Sequence, residues 1–326
     1  SNNAQQPPKP PPAHQTPPRP AITFENVWKT YPGGVEAVKN LSLEVREGET
    51  LVLLGTSGSG KTTTMKMVNR LIEPTEGRIC VDGEDIMAKN PIELRRQIGY
   101  AIQQIGLFPH MTVAENIAVV PRLLNWSQQD VDDRIDRMLT LVDLEPGDFR
   151  SRYPTQLSGG QKQRIGVARA LAGDPPIVLM DEPFGALDPI TRDQLQTEFL
   201  ELESVIQKTI IFVTHDLDEA LKIGDRIALM NAGRIVQLGT AEEILTEPAD
   251  DYVADFVAGV DRSKVLTAEA VMINPDPVVT VRQGPRTALV LMRDSNKESI
   301  FVVDRERKYK GLIESEEALS AAKGKK

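Results

Sequence analysis

The feature that most constrains this chain is the segment at residues 55–62, which reads Gly-Thr-Ser-Gly-Ser-Gly-Lys-Thr and matches the pattern G-x-x-x-x-G-K-[ST]. A uniformly apolar run at residues 51–54 precedes it, as expected of a strand covered on both faces. Residues 63–71, which follow, are compatible with a helix. Strand, loop and helix therefore stand in the order that a phosphate-binding loop requires.

The chemistry of such a loop depends on its backbone. Glycines let N–H groups close around phosphate oxygens, and the N-terminus of the following helix adds positive partial charge. Lys61 is placed to reach the β and γ phosphates, and the Thr62 hydroxyl to bind Mg²⁺. The segment predicts a site for a nucleoside triphosphate. The residues expected to contact the nucleotide are Gly55, Thr56, Ser57, Gly58, Ser59, Gly60, Lys61, Thr62 and Thr63.

A second apolar run, at residues 177–180, ends in two carboxylates, Asp181 and Glu182. Ligands of α/β sheets bind at the carboxyl ends of the strands. Asp181 is placed to hold Mg²⁺ through water, and Glu182 to polarise an attacking water as a general base. An acidic loop after a buried strand is the alternative, and the phosphate-binding loop favours the functional interpretation.

Further apolar runs at residues 210–213 and 227–230 alternate with segments of helical spacing, which predicts a mainly parallel α/β sheet. Ser127, followed by Asp130, is an N-cap signal for one of these helices. Asn-Ala-Gly at residues 231–233 predicts a hairpin turn.

Composition excludes several classes of protein. With 326 residues, 40% hydrophobic and 26% charged, the chain is expected to fold, in about two domains. The net charge of −9 disfavours a nucleic-acid partner. Its apolar runs fall far short of the roughly 20 residues that a membrane helix needs, and we expect no secretory signal. A single cysteine, Cys80, excludes an intrachain disulfide and fits a reducing compartment.

A third segment, Leu-Ser-Gly-Gly-Gln at residues 157–161, precedes a helical pattern and predicts either an anion site or an ordinary N-cap. Together with the phosphate-binding loop, the paired carboxylates and Ala-Leu-Asp at residues 186–188, it resembles the ATP-binding subunit of ABC transporters over about residues 21–240. That resemblance implies an α/β P-loop NTPase fold with an antiparallel β-subdomain and a helical subdomain at about residues 105–165. It also implies ATP and Mg²⁺ as ligands.

The resemblance further implies roles at matching positions. Tyr31 would stack on adenine, with Trp28 as the alternative and a core aromatic as the simpler reading of either. Gln103 would contact Mg²⁺ and the attacking water, although Gln104 beside it leaves an ambiguity of one residue. His215 would sense the γ-phosphate.

In this family two copies enclose two ATP molecules, so a second copy of the chain is an expected partner. Ser158 and Gly160 of one copy would face the phosphates held by Lys61 of the other. Gly159, Gln161 and Asp188 would belong to the same shared site.

Residues 98–113, 216–220 and 251–261 resemble importers of the osmoprotectant uptake family, which take up glycine betaine, carnitine, choline or proline betaine. The implied partners are transmembrane permease subunits and, indirectly, an extracytoplasmic solute-binding protein. The implied location is peripheral, on the cytoplasmic face of the cell membrane. An importer of an amino acid or another small metabolite is the alternative within the class. A non-transport ABC ATPase is the alternative outside it, and a binding module without turnover is opposed by Glu182 and His215.

The two ends differ from the body at residues 21–260. Residues 1–20 contain eight prolines and predict a solvated tail, with a proline-motif ligand as the alternative. Residues 261–326 resemble one CBS repeat, a regulatory module that usually occurs in pairs. Either the sequence is truncated or two chains pair their single repeats, and a simple packing module is the alternative to regulation.

Overall fold

The computed structural model describes residues 20–102, 106–185, 187–260 and 275–323. Internal contacts divide the chain into two units, residues 1–265 and 266–326, and each is described by itself. Most of the predicted proline-rich tail, Gln103, Gln104 and Ala186 lie outside the described residues. In the described ranges, no helix has both the length and the apolar character needed to cross a membrane.

The first unit is built on a six-stranded sheet that is parallel except at one edge. From edge to edge its strands are β10 (Arg234–Gly239), β9 (Arg226–Asn231), β3 (Thr50–Leu54), β8 (Thr209–Thr214), β7 (Ile177–Asp181) and β6 (Ile98–Ala101). Strand β10 is antiparallel to β9 and joined to it by the predicted hairpin turn. The edge strand β6 pairs in parallel with β7 and was not among the strands predicted from the sequence.

Strand β3 shows why uniformly apolar runs form the middle of this sheet. Leu51 and Leu53 belong to one hydrophobic cluster, whereas Val52 and Leu54 belong to the other, and all four are fully buried. Successive side chains of a strand point to opposite faces. Both faces of the sheet are therefore covered, as the sequence predicts.

An antiparallel sheet supplies much of the cover on the face of Leu51 and Leu53. Its strands, in order, are β2 (Val35–Arg46), β1 (Pro20–Tyr31), β4 (Glu76–Val81) and β5 (Glu84–Asp85). Side chains of β1, such as Phe24, share a cluster with Met65 from helix α1 (Lys61–Val68). This sheet is the expected antiparallel subdomain.

Helices cover most of the other face, although Leu94, from the first of them, packs in the cluster of Leu51 and Leu53. In chain order the remaining helices of the first unit are α2 (Pro91–Arg96), α3 (Val113–Leu123), α4 (Gln128–Leu141), α5 (Pro146–Phe149), α6 (Gly159–Leu171), α7 (Pro189–Ile206), α8 (Leu217–Ile223), α9 (Ala241–Thr246) and α10 (Asp251–Val257). Helix α4 begins at the predicted cap, where the Asp130 N–H donates to the Ser127 hydroxyl at 3.2 Å. Helices α3 to α5 occupy the interval expected for the helical subdomain.

The described residues of the second unit form a three-stranded sheet and two helices. Its elements are β11 (Val278–Thr280), α11 (Pro285–Asp294), β12 (Ser299–Val303), β13 (Tyr309–Glu314) and α12 (Ser315–Ala322). Strand β12 is central, parallel to β11 and antiparallel to β13. A small buried cluster holds the unit together, with Met292 from α11 and Ile300 from β12 among its members.

Leu53→Ala tests how much the first unit depends on the double cover of its sheet. Because Leu53 is fully buried, we expect the free energy of unfolding to fall by about 2–5 kcal/mol. Urea denaturation followed by circular dichroism measures the change. The matched control is Leu123→Ala, since that side chain is 51% exposed and its loss should cost no more than about 0.5 kcal/mol. Equal losses in the two variants would contradict the assignment of Leu53 to the core.

Candidate functional site

Three adjacent parallel strands bring the predicted site residues to one edge of the sheet. Strand β8 pairs with β3 on one side and with β7 on the other. Leu54 is opposite Thr214 in the first pair, and Val213 is opposite Asp181 in the second. The segments that follow the three strands begin with Gly55, Glu182 and His215, so these segments emerge side by side. This edge is where α/β sheets bind their ligands.

Two glycines of the phosphate-binding loop are required by close approach of other backbone. Gly55 has φ +151°, and a Cβ there would lie 2.2 Å from the carbonyl oxygen of Met230. Gly60 has φ +103°, and a Cβ there would lie 2.4 Å from the carbonyl oxygen of Ala37. Since neither position has room for a side chain, the first and second glycines of the motif are fixed by packing as well as by conformation.

The Lys61 ammonium lies inside its own loop. Its Nζ donates to the carbonyl oxygens of Gly55 at 2.8 Å and Thr56 at 2.9 Å. Burial lowers the pKa of Lys61, while the nearby carboxylates of Glu182 and Asp181 oppose that shift. The loop thus combines a partly desolvated cation with clustered backbone groups, which is the arrangement that an anion site needs.

Thr62 and Asp181 form the contact between the loop and the end of β7. The Thr62 hydroxyl donates to Asp181 Oδ1 at 3.0 Å. Burial raises the pKa of Asp181, and the hydrogen bond from Thr62 opposes the rise.

Two oxygen ligands so close together fit Mg²⁺, which prefers hard oxygen donors and usually takes only one or two carboxylates from the protein. Among the described residues, no group of three or more His, Cys, Asp and Glu side chains is arranged to hold a metal ion. A Mg²⁺ ion held by Thr62 and Asp181 would need further oxygen donors, which water or phosphate can supply.

Glu182 and His215 face each other across the ends of β7 and β8. His215 Nδ1 lies 3.3 Å from Glu182 Oε1, and both residues line one small cavity. The Glu182 N–H donates to the Val213 carbonyl at 2.9 Å, which anchors Glu182 to β8. Its φ of +45° is in the left-handed region, uncommon for a residue other than glycine. The His215 side chain is 58% exposed and that of Glu182 only 19%, so the pair is open to solvent mainly from the histidine side.

The segment at residues 157–161 caps helix α6. The Gln161 N–H donates to the Ser158 hydroxyl at 3.2 Å, and the Ser158 N–H donates to Gln161 Oε1 at 3.0 Å. Ser158 and Gly159 are exposed. A Cβ on Gly160 would lie 3.1 Å from Thr191 Cγ2, so the start of α6 lies beside the start of α7.

Asp188 caps α7. Its carboxylate accepts a hydrogen bond from the Thr191 N–H at 3.1 Å, and hydrogen bonds from Thr191 lower the pKa of Asp188.

The two candidate aromatics differ in surroundings. The Tyr31 hydroxyl lies 3.4 Å from the Thr63 hydroxyl in the first turn of α1, next to the phosphate-binding loop. The Trp28 ring instead packs against the guanidinium of Arg234, 5.9 Å from the ring centroid. Gln103 and Gln104 lie outside the described residues, so the structure does not choose between them.

The sequence analysis missed three charged residues at this edge of the sheet. Arg192, Asp216 and Glu219 line the same cavity as Glu182 and His215. Asp216 and Glu219 carry a capping signal, Asp-x-x-Glu, that marks the start of α8. No pattern in the sequence marks Arg192, because its role depends on how α7 packs against the segment after β8.

Comparisons with known proteins agree with this geometry. Residues 38–185 match the family described as "ABC transporter". The choline transport ATP-binding protein OpuBA of Bacillus subtilis is 53% identical over 90% of this chain and 78% of its own length. The osmoprotectant import ATP-binding protein OsmV of Salmonella typhimurium is 48% identical over 92% of this chain and 81% of its own length.

A solved structure also matches, that of a dimeric ATP-binding cassette in a post-hydrolysis state bound to ADP and Pi. The two sequences are 35% identical, and the match covers 68% of this chain and 98% of the cassette with a TM-score of 0.60. The family and the fold predicted from the sequence are confirmed. The chain belongs to the ABC transporter family, as one of its ATP-binding subunits.

Proposed function

We propose that this chain hydrolyses ATP to power an ABC importer for an osmoprotectant such as choline, glycine betaine, carnitine or proline betaine. The observation that carries the ATPase assignment is the pairing of β3, β8 and β7, which joins Thr62 to Asp181 at 3.0 Å and Glu182 to His215 at 3.3 Å. The name of OsmV supports the direction of transport, and the names of both relatives support the class of solute.

In the proposed mechanism, backbone N–H groups of residues 55–62 and the Lys61 ammonium bind the phosphates. Thr62 and Asp181 would hold Mg²⁺, with Gln103 as a further contact, and the ion would neutralise charge on the β and γ phosphates. Glu182 accepts a proton from water as the water oxygen attacks the γ-phosphorus and the bond to ADP breaks. His215 orients the Glu182 carboxylate and contacts the γ-phosphate.

Cassettes homologous to this chain form dimers, and we propose that the active site is shared between two copies. Ser158, Gly159, Gly160 and Gln161 of one copy would face the phosphates held by Lys61 of the other. The exposure of Ser158 and Gly159 at the N-terminus of α6 supports this role, because such a terminus attracts anions. Asp188 would contribute from the same surface. Tyr31 is the better candidate for the adenine, since it contacts α1 directly.

The remaining partners are proposed from the family alone. The chain would bind transmembrane permease subunits at the cytoplasmic face of the cell membrane and work with an extracytoplasmic solute-binding protein. The solute would be recognised by those partners. An importer of amino acids or other small metabolites, and an ABC ATPase outside transport, are the competing proposals.

The domain division is also a proposal, with an ATP-binding domain at residues 21–260 and a CBS-like segment at residues 261–326. The arrangement of two helices on a three-stranded mixed sheet supports a small α+β module. Regulation of transport and simple packing are its two possible roles.

Glu182→Gln tests the general base. The amide keeps the size of the side chain but cannot take a proton, so we expect ATP binding to persist, turnover to fall by about 100-fold or more, and an ATP-bound dimer to accumulate. Phosphate release and gel filtration with ATP measure these changes. Glu201→Gln, at an exposed glutamate of α7, is the control. Turnover at the parent rate would exclude Glu182 as the base.

Ser158→Arg tests the shared site. A bulky cation at the exposed start of α6 should block the approach of a second copy, so hydrolysis is lost while each chain still binds ATP. Ser127→Arg is the control, because Ser127 also caps a helix and its loss carries the same cost of about 1 kcal/mol in stability. Equal loss of hydrolysis in both variants would attribute the effect to capping, and loss of ATP binding with hydrolysis would indicate misfolding.

The osmoprotectant assignment is tested in liposomes that contain the chain with its permease and binding-protein partners. We expect glycine betaine to stimulate ATP hydrolysis, and a salt series shows whether the second unit adds regulation. Stimulation that requires raised ionic strength would support a regulatory role for that unit. Stimulation only by a solute other than choline, glycine betaine, carnitine or proline betaine would overturn the osmoprotectant proposal and leave the ATPase assignment intact.

A further inference from the structure

Arg192 joins two segments that flank the hydrolysis site. It lies in the first turn of α7, where one guanidinium nitrogen donates to the Leu187 carbonyl at 3.1 Å. The other terminal nitrogen donates to Asp216 Oδ2 at 3.4 Å. Its Nε is buried and has no hydrogen-bond partner among the described residues. One planar group therefore connects the segment that leads into α7 with the segment that follows β8.

The segment after β8 is held on both sides of His215. The Asp216 N–H donates to the Thr214 hydroxyl at 3.0 Å. Asp216 Oδ1 caps α8 by accepting from the Glu219 N–H at 3.2 Å, which leaves Oδ2 for Arg192. The residues before and after His215 are thus fixed, and the backbone position of His215 depends on them.

A second connection lies one helical turn further along α7. Gln196 Nε2 donates to Glu219 Oε1 at 3.1 Å. Glu219 is only 4% exposed. Burial raises its pKa, and the polar side chains of Thr214 and Gln196 oppose that rise. Hydrogen bonding to protein groups replaces the water that the buried Glu219 carboxylate has lost. Because a hydrogen bond requires a defined position of donor and acceptor, it fixes how α7 packs against α8.

We propose that Arg192 is a positioning residue for hydrolysis, which holds His215 in register with Glu182 by tying Asp216 to the start of α7. The proposal rests on the proposed function, since it concerns the same site. Arg192 acts through other residues. It supplies neither the proton acceptor nor the phosphate contacts, so its loss is expected to affect turnover more than nucleotide binding.

The test uses the full chain, with Arg192→Ala and Asp216→Asn made singly and together. Asparagine caps helices as well as aspartate does, so Asp216→Asn removes the charge that Arg192 meets and keeps α8 capped. A displacement of about 1 Å in a catalytic group can cost about 100-fold in rate. We expect kcat to fall by about 10-fold or more in either variant, with the dissociation constant of a fluorescent ATP analogue within about twofold of the parent.

Lys222→Ala is the matched control. Lys222 of α8 donates to Asp193 Oδ1 of α7 at 2.8 Å, so it bridges the same two helices without contacting Asp216. We expect its kcat to stay within about twofold of the parent. If the helix contact as a whole matters, and not the Arg192 connection, Lys222→Ala will lower kcat as much as Arg192→Ala does, and the proposal is overturned.

The double variant tests whether the two residues act as a unit. A double variant no slower than the slower single variant supports the proposal, whereas losses that multiply overturn it. Arg192→Met, which keeps the aliphatic stem, replaces Arg192→Ala if that chain does not fold. Parent-like kcat in both single variants would also overturn the proposal while leaving the ATPase assignment standing. Failure of the proposed function is a different result, in which the parent chain binds ATP but shows no turnover with its partners.

Discussion

The parallel pairing of β3, β8 and β7 is the constraint on which the rest of the site depends. A phosphate-binding loop, an acidic strand end and a histidine lie more than thirty residues apart from one another in the sequence, and only the order of these strands makes them neighbours. That order is stable because both faces of the sheet are buried by separate hydrophobic clusters. The apolar strands therefore stabilise the sheet, and their order in that sheet brings the reactive side chains together at its edge.

The loop itself is held by backbone from outside the parallel core. The Gly233 N–H, in the hairpin turn between β9 and β10, donates to the Ser59 carbonyl at 3.0 Å, and the Gly233 carbonyl accepts from the Lys39 N–H at 2.8 Å. This turn thus connects the loop to β2 of the antiparallel sheet. Because Gly55 packs against the backbone of β9 and Gly60 against the backbone of β2, the loop is shaped before any phosphate arrives.

Much of the fold and the nucleotide site could be predicted because they depend on local pattern. Apolar runs identify the central strands, and the spacing of Gly55, Gly60 and Lys61 identifies the loop. Strand β6 was missed because its four residues are too short and mixed in character for periodicity to detect. Trp28 remains an alternative to Tyr31 for another reason. Register shifts in β1 near these residues break the regular alternation of faces, and sequence alone does not locate such bulges.

The Arg192 connection could not be predicted because it forms between elements distant in sequence. Arg192 is a charged residue on a helix with exposed neighbours, which is typical of a solvated face. The contact that Arg192 makes depends on the position of Asp216, which is determined by the N-terminal cap of α8. Residues of this kind are found only when the packing of two helices is known.

The charged side chains of the site influence one another's protonation. Replacing one of them by mutation therefore has more than one effect. The carboxylates of Glu182 and Asp181 support the charge of Lys61, and Lys61 and Lys66 support that of Asp181. Removing Lys61 would shift the protonation of Asp181 and would also remove the proposed phosphate contact. At the start of α6, the Ser158 hydroxyl accepts a hydrogen bond from the Gln161 N–H. The first N–H groups of that helix have no intrahelical partner, so in the proposed dimer they would bind a phosphate held by the second copy and release it without unwinding the helix.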